Sequence, residues 1–192
     1  MFLFFDTETT GVPLRWDRPC TDTANWPRLV ELAWAVHGAD EQPLAAETHI
    51  VRPAGFTIPK DAERIHGIST ARALIDGIPL SEVLARFSGA VDRSTVVVAH
   101  NLSFDECVVG AEFVRQKQAT GLHGKTRLCT MKGSTEYCRI PGRYGFKYPS
   151  LSELYFTLFG RALQEAHRAE ADVRATAECF FELRRRGVLT VP

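Results

Sequence analysis

The chain has 192 residues, 45% of them hydrophobic and 24% charged, and its 23 Lys/Arg balance 23 Asp/Glu. That length suits one domain with a substantial core, and zero net charge excludes a global field drawing the molecule to nucleic acid or membrane, so any polyanion site must be a local patch. Five cysteines without C-x-x-C spacing, Cys20, Cys107, Cys129, Cys138 and Cys179, suit reduced thiols in a cytoplasmic protein better than a disulfide frame or a zinc site.

The first element is the apolar run Phe2-Leu3-Phe4-Phe5, which reads as a short strand buried on both faces. It is too short for a signal peptide and lacks a basic leader, and no later stretch approaches a membrane span. The run continues into Asp6-Thr7-Glu8-Thr9-Thr10-Gly11. Residues two apart on a strand share a face, so Asp6 and Glu8 project together. Two carboxylates that close require a proton or a cation, and hard divalent ions prefer carboxylate oxygen. A turn-forming Asp and a calcium loop are the competing readings; the loop is disfavoured because an aromatic strand, not a helix, precedes it.

Residues 12–27 read as a surface loop, either overhanging the end of the first strand or, as the favoured reading, an insertion whose Trp16 and Trp26 pack onto the body. Strands are expected over 29–36 and 47–52, around a turn at 38–43. A short helix follows over 59–66. Leu80, Val83, Leu84, Phe87 and Val91 mark a longer one at i, i+3, i+4, i+7 spacing. A buried strand at 95–99 leads into His100-Asn101-Leu102-Ser103-Phe104-Asp105, where Ser103 and Glu106 form a capping box for the next helix. A small strand over 127–131 is followed by an irregular basic stretch to Pro149. A second capping box, Ser150 with Glu153, opens a helix that Gly160 ends. The last helix runs from about 168 to 186, with Val173, Ala177, Phe180 and Leu183 inward, and Gly187 stops it. The sum is an α/β domain over 1–192, a mixed sheet of about five strands flanked by helices.

More acids arrive late in the chain. Asp105 falls in a first helical turn, where the helix dipole alone would favour it. Asp172 borders the buried face of the last helix, where an acid needs a partner. His167 stands five residues earlier, a candidate base beside an acidic cluster. In order and spacing, Asp6-x-Glu8, His100-Asn101-x-x-Phe104-Asp105 and His167-x-Ala169-x-x-Asp172 resemble the three signatures of the DEDDh 3′-to-5′ exonucleases. The resemblance spans residues 2 to about 187. His167 fixes the branch, because the DEDDy branch carries Tyr four residues before the last Asp, where Arg168 stands.

The resemblance implies a ribonuclease H-like fold and two ions, Mg²⁺ or Mn²⁺. It implies that Asp6 bridges the ions, Glu8 and Asp172 complete the first, and Asp105 holds the second. It also implies that His167 takes the proton from an attacking water. The substrates implied are single-stranded DNA or RNA 3′ ends, cut to nucleoside 5′-monophosphates. The competing readings are a silent nucleic-acid-binding module keeping the same acids, and a phosphatase, which would leave Asp105 and Asp172 without a role. The chain closes directly after the last helix, without the tail by which the family's epsilon subunits tether to their polymerase. A free-standing nuclease, or one recruited by a polymerase or repair partner through its own surface, is therefore expected.

Charge is unevenly spread: residues 1–114 carry 9 Lys/Arg against 16 Asp/Glu, whereas 115–147 carry 8 against one. The basic part holds Arg139 and the run Arg143-Tyr144-Gly145-Phe146-Lys147, in which cations alternate with aromatics. That pattern suits phosphate contacts interleaved with base stacking; the alternative is that the aromatics pack on the body while the cations face water.

Overall fold

In chain order the strands of the main sheet are β1 (Phe2–Thr9), β2 (Leu29–His37), β3 (Pro43–Ile50), β4 (Val96–Ala99) and β5 (Thr126–Cys129). The long helices are α3 (Leu80–Arg93), α4 (Leu102–Arg115), α7 (Leu151–Phe159) and α8 (Ala169–Arg185), and the short ones α1 (Lys60–His66), α2 (Thr70–Asp76), α5 (Thr130–Gly133) and α6 (Thr135–Cys138). A small hairpin, β6 (Pro141–Gly142) with β7 (Gly145–Phe146), stands apart from the main sheet. The structure is a computed structural model describing residues 1–164 and 168–191.

The five-stranded sheet has the order β3-β2-β1-β4-β5, antiparallel on the β2 side of β1 and parallel on the β4 side. Its middle strand is β1, which explains the unbroken apolar run: helices cover both faces, and Phe2, Leu3, Phe4 and Phe5 are all buried. On one face Leu3 and Phe5 pack with Trp34, with Phe87 of α3 and with Val108 and Phe113 of α4. On the other, Phe2 and Phe4 meet Phe180 and Phe181 of α8, with ring centroids 5.4 to 5.7 Å apart. Such aromatic pairs add roughly 0.5–1.5 kcal/mol each beyond their buried area, so β1 and α8 are locked in one register.

Several boundaries differ from expectation. β3 begins at Pro43, four residues before Glu47; it is the edge strand, where a residue lacking N–H is tolerated. α2 is too short for periodicity to reveal, although Ser69 caps it by accepting from the Arg72 N–H. The capping box expected at Ser103 does not form. α4 starts at Leu102 after Asn101 in a left-handed conformation (φ 77°), with no side-chain cap. Its proposed partner Glu106 instead turns to the Arg127 guanidinium at 3.0 Å. The box at Ser150–Glu153 does form, with both bonds present. The basic stretch before Pro149 is folded into α5, α6 and the hairpin rather than irregular. Among the described residues no helix is long and apolar enough to cross a membrane.

Candidate functional site

The packing just described places the acids. Phe2 and Phe4 are even-numbered, and two further steps along the same face of β1 are Asp6 and Glu8. From the Phe2/Phe4 pair to the Asp6/Glu8 pair is four residues, about 13 Å of strand. From Phe180 back to Asp172 is eight residues, about 12 Å of helix. With the aromatic rings fixing the register, the first turn of α8 must lie over the acidic end of β1. Accordingly Asp6, Glu8 and Asp172 each offer a carboxylate oxygen within 4.8 Å of the others.

Asp105 comes from the opposite face. Thr7, odd-numbered, points towards α4, and its hydroxyl and backbone N–H donate to one Asp105 oxygen at 2.7 and 3.1 Å. Asp105 is buried, 3% exposed, so these bonds set its rotamer. It stands outside the close triad yet near enough to raise the Asp6 pKa.

Packed this way, the carboxyls resist ionisation. Burial, then the neighbouring Asp105, Asp172, Glu8 and Glu31, hold Asp6 well above the usual carboxylate range. Burial and the charges of Asp172, Glu31 and Asp105 push Glu8 up to about 8. Burial pushes Asp105 up to about 7, against the pull of the two Thr7 bonds. Groups that must protonate when alone, yet share oxygens this close, fit a cation: a hard divalent ion satisfies the charges and the donor chemistry together. The residues present therefore suit the metal expected from the sequence.

Two contributors were not anticipated. Glu31 of β2 lies directly opposite Glu8, and its carboxyl is raised by burial while the Ala169 backbone bond and the Arg72 charge act against that rise. Its signal was available as the single acid in an otherwise apolar strand, Leu29-Val30-Glu31-Leu32-Ala33-Trp34. Thr7 carries no such signal, because a Thr in a strand is ordinary.

His100 is half-buried and neutral, its pKa pushed down to about 4 by desolvation. Nε2 lies 3.0 Å from the Pro149 carbonyl, which can only accept, so Nε2 carries the proton; Nδ1 then accepts from the Thr130 hydroxyl at 3.0 Å. It ties the end of β4 to both ends of the segment bearing the hairpin. In that segment Tyr144 is 89% and Phe146 44% exposed, so neither packs into the body. The Arg143 guanidinium lies over the Tyr144 ring at 5.1 Å. Lys147 is engaged with Glu153 at 2.6 Å, and Arg139 is exposed in a left-handed conformation (φ 49°). His167 lies outside the described residues. A groove of about 710 Å³ between β2, β3 and α8 contains none of the four acids Asp6, Glu8, Asp105 and Asp172.

A family model described as exonuclease, RNase T, matches residues 3–180. The chain belongs to this exonuclease family. Among curated proteins the chain is similar to DNA polymerase III subunit epsilon of Treponema pallidum (strain Nichols), 28% identical over 181 residues, covering 93% of this chain and 74% of the relative. Among solved structures it resembles E. coli Exonuclease I in complex with a dA16 oligonucleotide, with a TM-score of 0.77 at 22% identity over 96% of this chain. It also resembles Exonuclease X in complex with 5′ overhanging duplex DNA, with a TM-score of 0.68 at 27% identity over 99% of this chain and 95% of that one. The chain spans 41% of the Exonuclease I chain. The mixed sheet flanked by helices is the ribonuclease H-like fold of these enzymes.

Proposed function

We propose that residues 1–192 act as one metal-dependent 3′-to-5′ exonuclease domain that removes nucleoside 5′-monophosphates from single-stranded 3′ ends. The observation that carries this reading is the convergence of Asp6, Glu8 and Asp172 within 4.8 Å, beside a buried Asp105. Asp6, Glu8 and Asp172 would hold one Mg²⁺ or Mn²⁺, and Asp6 with Asp105 a second. Two such ions, when bound, stabilise the attacking and leaving oxygens of an in-line displacement at phosphorus.

The chain's own residues do the rest. Thr7 fixes the Asp105 oxygen that would otherwise swing. Glu31 adds negative charge behind Glu8, which strengthens the demand for cations. His167, five residues before Asp172, takes the proton from the attacking water, a role worth roughly 10²–10⁴ in rate. That assignment rests on sequence position. The exposed Arg139, Arg143, Tyr144, Phe146 and Lys147 guide the strand towards the acids, with His100 anchoring their segment to β4.

DNA is the first substrate to test, because two solved relatives are described in complex with DNA. The similarity to a polymerase III subunit supports a polymerase or repair partner, and the five free cysteines suit the cytoplasm. The test is incubation with end-labelled DNA and RNA of one sequence, single- and double-stranded, with Mg²⁺, Mn²⁺ or chelator. Stepwise shortening from the 3′ end that stops on chelation is expected. Shortening from the 5′ end, or turnover without a metal, would refute the reading.

A further inference from the structure

The loop after the first motif was expected to pack both its tryptophans onto the body. Trp26 does so, at 5% exposed, but Trp16 is 62% exposed. Leu14 and Val12, two and four residues before it, are 82% and 71% exposed. Every second residue from Val12 to Trp16 thus presents a large apolar side chain to water, starting one residue after Gly11. The underside of Trp16 rests on Phe104, with ring centroids 5.9 Å apart, and Phe104 immediately precedes Asp105. The apolar strip therefore rests on the first turn of α4, the helix that carries Asp105.

The loop that displays Trp16 is held firmly. Buried Asn25 accepts from the Arg15 N–H at 2.8 Å and donates to the Arg15 carbonyl at 2.9 Å. The Leu14 N–H donates to the Asn25 carbonyl, and the Trp26 indole to the Pro19 carbonyl, both at 3.0 Å. Arg115 donates to the carbonyls of Thr23, Trp26 and Pro27. Glu112, fully buried, accepts from Arg28 at 2.9 Å and from the Leu29 N–H at 3.0 Å. So many bonds spent on a loop whose tip leaves an indole in water argue that the indole has an occupant.

Charge narrows the choice. The neighbours of Trp16 neutralise each other, Arg15 binding Asp17 through two bonds of 3.1 and 2.8 Å. The strip therefore offers flat apolar surface and little free charge, which suits a base rather than a phosphate. We propose that Trp16, backed by Phe104 and flanked by Leu14 and Val12, is the platform on which an unpaired base of the substrate strand stacks beside the cleavage site. This rests on the exonuclease reading above. It makes the loop a determinant of preference for unpaired ends, because a base inside a duplex already has both faces covered.

The chain has three tryptophans, and Trp34 is buried like Trp26, so ligand-dependent quenching of indole fluorescence reports on Trp16. With a dT15 strand carrying 3′-terminal phosphorothioate linkages, in Mg²⁺, quenching is expected; with a strand of abasic units of the same length it should be absent. Trp16→Phe should lose the signal and keep KM for dT15 within about threefold, since a smaller ring still stacks. Trp16→Ala should raise KM for dT15 roughly 5- to 150-fold, as removal of one stacked base does, with kcat changed far less. Quenching that persists in Trp16→Phe, or a Trp16→Ala KM within twofold of the unsubstituted protein, would overturn the proposal. So would a Trp16→Phe variant as weak as Trp16→Ala. If the unsubstituted protein shortens no single strand of DNA or RNA, the exonuclease reading fails and this inference with it. If it shortens them and only the variants disagree, the Trp16 assignment alone falls.

Discussion

The carboxylate cluster and the hairpin at 141–146 are opposite in construction. The cluster draws its acids from β1, α4 and α8, residues up to 166 positions apart, and holds them half-buried or buried. The hairpin takes its side chains from one short run and leaves all of 141–148 exposed. Removing charge from the first should relieve strain and destroy chemistry. Removing it from the second should leave the fold alone and weaken only grip. One region is electrostatically costly until it is filled; the other costs little and gains only when a polyanion arrives.

The widest separation between the two is expected from Asp6→Ala, Glu8→Ala, Asp105→Ala and Asp172→Ala. Each should lower nuclease activity by about a thousandfold or more, because several kcal/mol of metal-based stabilisation go with it. For Asp6→Ala and Glu8→Ala, where repulsion is relieved, the metal-free melting temperature should not fall below that of the parent. Gel-based nuclease rates and thermal melts in chelator check both halves; full activity of Asp172→Ala in Mg²⁺ would remove the metal assignment.

His167→Ala should cost roughly 10²–10⁴ in kcat with little change in KM, as a base acts only on the chemical step. A raised KM at constant kcat would make His167 a binding residue. Parent kcat should also climb with pH through the imidazole range.

The pH dependence of stability sharpens the contrast within the cluster. The Glu8 carboxyl rises from the usual 4.5 to about 8 on folding, so the folded state holds its proton more tightly. Its contribution is therefore fully present below about pH 4.5 and is lost as pH rises through about 8. Metal-free protein should melt lower at pH 8.5 than at pH 6. Mg²⁺ should raise the melting temperature more at pH 8.5, where no proton competes for the oxygens. An equal Mg²⁺ effect at both values would mean that Glu8 is not a ligand.

The smallest effect is expected at the hairpin. Arg139→Gln, Arg143→Gln and Lys147→Gln together should weaken binding to all sequences alike. They should also flatten the log–log salt dependence by roughly 0.7 for each phosphate no longer neutralised. Lys147, already paired with Glu153, should contribute least of the three. Oligonucleotide affinity across a salt series measures this, and an unchanged slope would exclude the segment as the strand's path.

Legibility followed the same division. Elements with long periodic patterns, α3 and α8, lie where their spacing put them, and the Ser150–Glu153 cap forms as read. The Ser103–Glu106 cap has the same local signature but fails, because Glu106 finds a stronger, charge-assisted partner in Arg127, 21 residues away. Trp16 and Trp26 looked alike in sequence and part in the structure, one to water and one to the core. Glu31 escaped notice since nothing local says which acid across a ladder will face Glu8.

By itself the sequence determined the buried central strand, the shared face of Asp6 and Glu8 and the three spaced motifs, because these depend on residue type and on spacing within one element. Only the tertiary structure decided that Thr7 holds Asp105 from the far side, that Glu31 backs the cluster and that Trp16 stands exposed against Phe104. Those outcomes depend on which elements the aromatic packing of β1 against α8, and of β1 against α3 and α4, brings side by side. Such contacts between residues distant in the chain leave no local pattern to read.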